Sequence, residues 1–184
     1  QIKLAIAGIA IGTVILPQLS KYVNYNDTKR ISLIQNKALE LSLFLSLPAA
    51  IAILIASEEI ISALFGYGSF GLKEVNNSGK ALFYFALGLP AFAIIKVFSS
   101  FYFARQNTKT PFYISLISVV MNTVMSVFFF KEFGFIIIPI ATSLSSWLNC
   151  ILLFIFLKKD NLYNFDSAFF NKFIRIVFSS ILMG

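Results

Sequence analysis

A lysine inside an otherwise apolar stretch is the residue of this chain whose chemistry most needs an explanation. Residues 81–104 are long and apolar enough to cross a bilayer as a helix, because about 20 residues at 1.5 Å per residue cover the hydrocarbon core. Lys96 lies well inside this stretch, where a cation costs roughly 2.5–3.5 kcal/mol on insertion scales. Helical spacing places Ser99 and Ser100 on the side of the lysine. A cation kept there predicts a contact with an anionic group.

The apolar stretch ends in a short basic turn. Residues 105–111 are RQNTKTP and include Arg105, Gln106 and Lys109. Charged side chains within a membrane span mark substrate or ion pathways more often than structural positions. An apolar span with an internal charge and a basic exit therefore predicts part of a transport pathway.

Polar side chains recur at helical spacing in the next two apolar stretches. They are Ser115, Ser118, Asn122 and Ser126 in the first and Thr142, Ser145, Ser146 and Asn149 in the second. Two such stripes in consecutive spans either line a water-filled cavity or form hydrogen bonds between the two helices. Each hydrogen bond of this kind contributes about 0.6 kcal/mol. In the first case, Asn122 and Asn149 are candidates for contacting a polar cargo.

A carboxylate, Glu40, lies at the start of the apolar run at 38–56. If the helix begins with that run, Glu40 is interfacial and solvated. If it begins nearer Ile31, the carboxylate is buried and needs a cation, either Lys37 three residues earlier or Lys96 across the bundle.

The composition excludes several classes of function. Of 184 residues, 58% are apolar and 12% charged, against about 25% charged in soluble domains, so we predict an integral membrane protein. The chain has no histidine and one cysteine, Cys150, which argues against disulfides, cysteine-rich metal sites and histidine-based catalysis. No phosphate-binding loop occurs. We therefore expect no enzyme activity, no metal and no cofactor.

The apolar runs predict an all-α, polytopic transmembrane helix bundle in one domain. About six spans are expected, at 1–20, 38–56, 81–104, 112–130, 135–157 and 172–184. The chain starts without methionine in one apolar run and stops within another. We therefore expect a fragment of a longer polytopic protein whose first and last spans are truncated.

The net charge of +7 comes from cations in the short loops between spans. The loops at 21–37, 105–111 and 158–175 contain ten Lys or Arg residues, whereas the alternate loops contain three, Lys73, Lys80 and Lys131. The positive-inside rule places the first set in the cytoplasm. This distribution explains the basic charge better than nucleic-acid binding does.

Four stretches together resemble the MurJ/MviN family of bacterial lipid II flippases, within the multidrug/oligosaccharidyl-lipid/polysaccharide exporter superfamily. They are GIAIGTVILPQLSKY at 8–22, LSLFLSLPAAIAIL at 41–54, LFGYGSF at 64–70 and ALGLPAFAIIKVFSSFYFARQNTKTP at 86–111. The FYFARQNTKTP block is specific to this family among exporters. The resemblance covers nearly the whole chain. It implies the fourteen-helix exporter fold, of which this chain contains roughly helices eight to thirteen, most of the second lobe without the first.

The resemblance also implies a cargo and a mechanism. The cargo is a polyprenyl-pyrophosphate carrying a disaccharide-pentapeptide, moved across the bacterial inner membrane by alternating access of two lobes, with possible coupling to membrane potential or a monovalent ion. Lys96 and the Ser/Asn stripes are then substrate contacts, and the partners are membrane lipids and the missing first lobe. One departure is Glu40, where the family is expected to have an arginine. Either Lys37, one turn earlier, takes that cationic role, or the contact with the cargo differs in this chain.

Two other interpretations stay open. The chain belongs to another exporter of the superfamily, for a different polysaccharide lipid intermediate or as a drug/ion antiporter, in which case Glu40 is the candidate for ion coupling. Alternatively, it is a non-transporting membrane scaffold, and Lys96 is a structural cation that pairs with carbonyls or reaches the interface.

Overall fold

The chain folds into helices joined by short turns. A computed structural model describes residues 15–25, 27–67, 71–163 and 174–180. These residues contain no strand, in agreement with the all-α class predicted from the sequence. Much of the predicted spans at 1–20 and 172–184 lies outside the described residues.

The helices of the described residues follow one another closely along the chain. They are α1 (15–24), α2 (Thr28–Ile55), α3 (Ser57–Phe65), α4 (Leu72–Phe103), α5 (Lys109–Phe133) and α6 (Ile137–Lys159), and residues 174–180 are also helical. A 3-10 turn, Gly134–Ile136, joins α5 to α6, and Gly134 has φ +61°, a backbone region that favours glycine. By length and composition, α2, α4 and the run Lys109–Lys159 can cross a membrane.

Two of the long helices begin well before their apolar runs. Helix α2 starts after Asp27, whose side chain accepts a hydrogen bond from the Arg30 amide at 3.2 Å, so an N-cap satisfies one of the first free amides. Helix α4 starts at Leu72, and its first turns are polar, with Lys73 and Lys80 exposed. The helical hydrogen bonds of the backbone continue into these polar turns. The polar side chains of these turns stay in water, so they do not prevent the helix from extending. Hydropathy alone therefore gives the apolar cores rather than the helix ends.

Helix α4 is the central element of the bundle and packs against α2, α3 and α6. It runs parallel to α6, since Tyr84 meets Ser143 and Phe98 meets Phe154. Helices α5 and α6 form an antiparallel pair. Helix α5 contacts α6 extensively and α4 only slightly. It is therefore attached to the bundle through α6.

The apolar core is concentrated where α4 and α6 end. Phe98 stacks on Phe154 with 6.2 Å between ring centroids, and Phe101 stacks on Tyr163 at 5.9 Å. Leu19 of α1 is fully buried in the same cluster. Aromatic pairs at these distances add roughly 0.5–1.5 kcal/mol beyond the area they bury. Residues of α1, α2, α4, α5 and α6 and of the segment after α6 belong to this one cluster.

Farther from this core, α4 and α6 approach closely at a glycine. The Ser143 hydroxyl donates to the Tyr84 carbonyl at 2.5 Å, and the Trp147 indole donates to the Leu87 carbonyl at 3.0 Å. A Cβ on Gly88 would lie 2.9 Å from Ser143 Oγ and 3.2 Å from its Cα. Small residues allow such close approach between helices in a membrane.

We expect Gly88→Ala to destabilise the full-length protein by about 1–3 kcal/mol, because the added methyl group pushes α6 away from α4. Thermal unfolding in detergent measures this as a lowered Tm. Ser143→Ala removes the hydroxyl oxygen nearest to the added methyl group. Adding Gly88→Ala to the Ser143→Ala variant should therefore lower the Tm by less than adding it to the native protein does. An unchanged Tm for Gly88→Ala would contradict the close packing.

Candidate functional site

Lys96, the cation predicted to meet an anion, projects from α4 with an exposed side chain. Phe92 and Phe103 on the same helix are also exposed, and Ser99 is half-buried. Among the described residues, none forms a hydrogen bond or ion pair with Lys96. Ser100 differs from its neighbour: it is buried, and its hydroxyl donates to the Val97 carbonyl at 2.7 Å. The described helices present the ammonium outward and turn Ser100 inward.

Lys37 and Glu40 both lie on α2, within its first half. The Lys37 side chain is exposed and Glu40 is half-buried. Because α2 begins at Thr28, Glu40 lies several turns inside the helix and not at its first turn. The helix start thus agrees with the longer of the two helices considered for this region, but the carboxylate is half-buried and not buried as that alternative expected.

An open groove of about 640 Å³ separates the end of α4 from the start of α5. Its polar lining consists of Ser99, Thr108, Lys109 and Ser115. Its apolar lining consists of Phe103, Pro111, Phe112 and Tyr113. The structure thus brings two predicted site residues, Ser99 and Lys109, to one cavity.

The polar stripes of α5 and α6 face each other. Asn122 Nδ2 donates to Thr142 Oγ1 at 3.1 Å and to Ser145 Oγ at 3.3 Å. Asn149 is buried, and its Nδ2 donates to Ser115 Oγ at 3.4 Å. These contacts correspond to the second alternative for the stripes, bonding between helices. Through Ser115, Asn149 also lies directly behind the groove.

The residues of the basic turn after α4 differ in exposure. Gln106 and Lys109 are exposed, and Gln106 has φ 59°. Arg105 is half-buried: its Nη1 donates to the Phe101 carbonyl at 2.9 Å, and its Nη2 donates to the Leu162 carbonyl at 3.4 Å. Burial lowers the pKa of Arg105, but a guanidinium stays charged in proteins. The guanidinium of Arg105 is thus already hydrogen-bonded to two backbone carbonyls.

Two further contacts complete a structure that we call the clasp, formed by Gln35, Asn36, Arg105, Leu162 and Tyr163. Gln35 is 1% exposed, and its Nε2 donates to the Leu162 carbonyl at 3.0 Å. The Tyr163 hydroxyl donates to Asn36 Oδ1 at 2.6 Å. Burial raises the pKa of Tyr163, so the phenol keeps the proton that it donates. The clasp joins α2, the end of α4 and the segment after α6.

Sequence reasoning did not identify the clasp. An Asp-Asn pair at 160–161 favours a turn after α6, and Asn161 indeed has φ 50°. That local signal does not tell which side chains reach the residues after the turn. Among the described residues, no group of three or more His, Cys, Asp or Glu could hold a metal ion.

Comparison with known proteins shows which family this chain resembles. The family model described as "Lipid II flippase MurJ" matches residues 1–184. The "Probable lipid II flippase MurJ" of Rhizobium tropici is 33% identical over 184 residues, which are 100% of this chain and 34% of that protein. Its counterpart in Rickettsia prowazekii is 34% identical over 168 residues, 91% of this chain and 33% of that protein. The chain thus spans about a third of the length of these relatives.

A solved structure described as "Lipid II flippase MurJ, inward closed conformation" matches with a TM-score of 0.81 and 27% sequence identity. The match covers 97% of this chain and 36% of the solved one. It confirms the predicted fold class, a transmembrane helix bundle of the exporter type.

We expect Tyr163→Phe to lower the free energy of unfolding by about 0.5–1.5 kcal/mol, because it removes the hydrogen bond to Asn36 and keeps the stacked ring. Titration of the full-length protein with SDS in mixed micelles measures this. Tyr113→Phe is the matched control, since Tyr113 is 60% exposed. Equal stabilities of the two variants would mean that the clasp does not stabilise the fold.

Proposed function

The chain belongs to the lipid II flippase MurJ family, and we propose that it forms part of a transporter that moves a lipid-linked peptidoglycan precursor across the bacterial inner membrane. The proposed cargo is a polyprenyl-pyrophosphate with a disaccharide-pentapeptide head. The single observation that carries this proposal is the family match along the entire chain. Consistent with it, the chain is part of a multi-pass protein of the inner membrane.

In the proposed mechanism, Lys96 contacts the pyrophosphate. Its ammonium is exposed on α4 and can meet an anion that approaches from outside the described helices. Such a contact is strong in a span, because charges attract each other more in a medium of low dielectric constant than in water. Lys37, exposed on α2, is the second proposed cation. The attraction between the pyrophosphate and the two lysines offsets the free energy that these charged groups lose when they leave water.

The remaining proposed contacts are polar and uncharged. Ser99 lines the groove, and Asn149 lies behind it through Ser115. Ser100 and Asn122 already have hydrogen-bond partners, so we propose that they act on the cargo only indirectly, by positioning α4 and α5. Moving a lipid between leaflets breaks no covalent bond, and we propose a transporter without enzyme activity. Coupling to membrane potential or a monovalent ion is part of the proposal.

Alternating access requires that groups of helices move as units. The clasp ties α2, α4 and the segment after α6 together at one end, which supports a lobe that moves as one body against the rest of the transporter. On this proposal, Lys37 and Lys96 keep their relative positions while the access to them changes.

We expect Lys96→Ala in the full-length protein to reduce precursor translocation roughly 10- to 100-fold, the effect of losing one charge-assisted contact. Translocation into vesicles of known orientation measures the rate, and immunoblotting measures the abundance in the membrane. Lys96→Arg should retain much of the activity. Lys131→Ala, at the far end of α5, is the control and should leave the rate unchanged. A scaffold would tolerate Lys96→Ala.

Glu40→Arg distinguishes the proposed carrier from an ion-coupled antiporter. The half-buried carboxylate on α2 is what an antiporter would use for its coupling ion. We expect Glu40→Arg to preserve translocation and its dependence on the ion gradient, because an arginine there adds a cation beside Lys37 for the pyrophosphate. Loss of the ion dependence, with uncoupled transport remaining, would favour the antiporter.

A further inference from the structure

The groove between α4 and α5 has a basic mouth and an aromatic wall. Lys109 and Thr108 lie at the start of α5, beside the turn that ends α4. Phe112 and Tyr113 are 63% and 60% exposed, and tyrosine side chains are enriched where a membrane meets water. The groove therefore combines a cation near the membrane surface with an apolar wall that leads into the membrane.

The groove stays open because of how α5 is attached. Helix α5 packs against α6 and has few contacts with α4, so the space beside Phe103 is not filled by the neighbouring helix. Its hydroxyls, Ser99 and Ser115, are inside it. A groove of about 640 Å³ is large enough for a head group or for part of an acyl chain.

The charge of the groove favours an anion. No acidic side chain among the described residues lines it. Arg105 is engaged with the carbonyls of Phe101 and Leu162, so Lys109 is the accessible cation of the turn at 105–111. The positive-inside rule predicts that this turn is cytoplasmic. Basic pockets between spans on the cytoplasmic side bind the head groups of anionic lipids.

We propose that this groove binds an anionic phospholipid of the cytoplasmic leaflet. The phosphate contacts the Lys109 ammonium and the Thr108 hydroxyl, and an acyl chain lies along Phe103 and Phe112. Lys96 lies one helical turn beyond Ser99 and outside the lining. The proposed phosphate contact at Lys109 is therefore distinct from the proposed pyrophosphate contact at Lys96, although Ser99 of the same groove is also a proposed cargo contact.

Fluorescence quenching by brominated lipids tests the proposal on the full-length protein. Tyr113→Trp places a reporter in the groove, with Trp147 and any other tryptophan replaced by phenylalanine. Phe128→Trp, at a position 75% exposed near the other end of α5, is the matched reporter away from the groove. Each protein is placed in vesicles of phosphatidylcholine containing either brominated phosphatidylglycerol or brominated phosphatidylcholine.

At position 113 we expect the anionic lipid to bind about five-fold more strongly than the zwitterionic one, the preference that one lysine near a membrane surface provides. At position 128, which lies one helical turn before Lys131, any preference for the anionic lipid should be unaffected by Lys109→Gln. Lys109→Gln should abolish the preference at 113, and Lys131→Gln, an exposed lysine at the other end of the helix, should leave it unchanged.

Three results would overturn the proposal. They are equal quenching by both lipids at 113, a preference that survives Lys109→Gln, and no quenching at 113 by either lipid, which would mean that protein covers the groove. Displacement of brominated phosphatidylglycerol by an equal mole fraction of a polyprenyl pyrophosphate would assign the groove to the transported lipid instead. The measurement involves no transport, so its outcome is separate from that of the translocation assay.

Discussion

The arrangement of this bundle depends on the hydrogen bonds to the backbone carbonyl of Leu162. This carbonyl accepts hydrogen bonds from Gln35 on α2 and from Arg105 after α4. Leu162 is half-buried, and a carbonyl that is shielded from water needs a hydrogen-bond partner. One donor on α2 and one in the turn after α4 therefore hold the segment after α6 in place, and that segment connects α2 to the end of α4. Tyr163, the next residue, stacks on Phe101 and so attaches the same segment to the apolar core.

The helices of the bundle are joined in two different ways. Helices α4 and α6 approach closely at Gly88, where hydrogen bonds to backbone carbonyls add to tight packing. Helices α5 and α6 are joined by side-chain hydrogen bonds around Asn122 and Asn149. Because α5 packs, among the described helices, mainly against α6 and only slightly against α4, the space between it and α4 remains open. The groove is thus a consequence of how the two pairs are built.

The proposed cations are on the outside of the described helices. Lys37 and Lys96 are both exposed, whereas the buried polar residues are largely serines with hydrogen bonds inside the bundle, such as Ser100, Ser118 and Ser143. An outward cation is consistent with the proposed contact, in which Lys96 meets an anion that approaches from outside the described helices. Electrostatics explains the division: uncharged hydroxyls can be satisfied within helices, but an ammonium in a span needs a counter-charge or water.

The sequence by itself determined the membrane class, the apolar helix cores and the family resemblance, because hydropathy and motifs are properties of contiguous residues. It also showed that Asn122 and Asn149 lie on polar faces, since helical spacing is local. It could not show that α2 and α4 begin in polar turns, which have no hydropathy signal. The inward turn of Arg105 and the closing of the clasp were decided only in the tertiary structure. The partners there are 57 and 127 residues apart, and helix packing, not any local pattern, sets which carbonyl a side chain can reach.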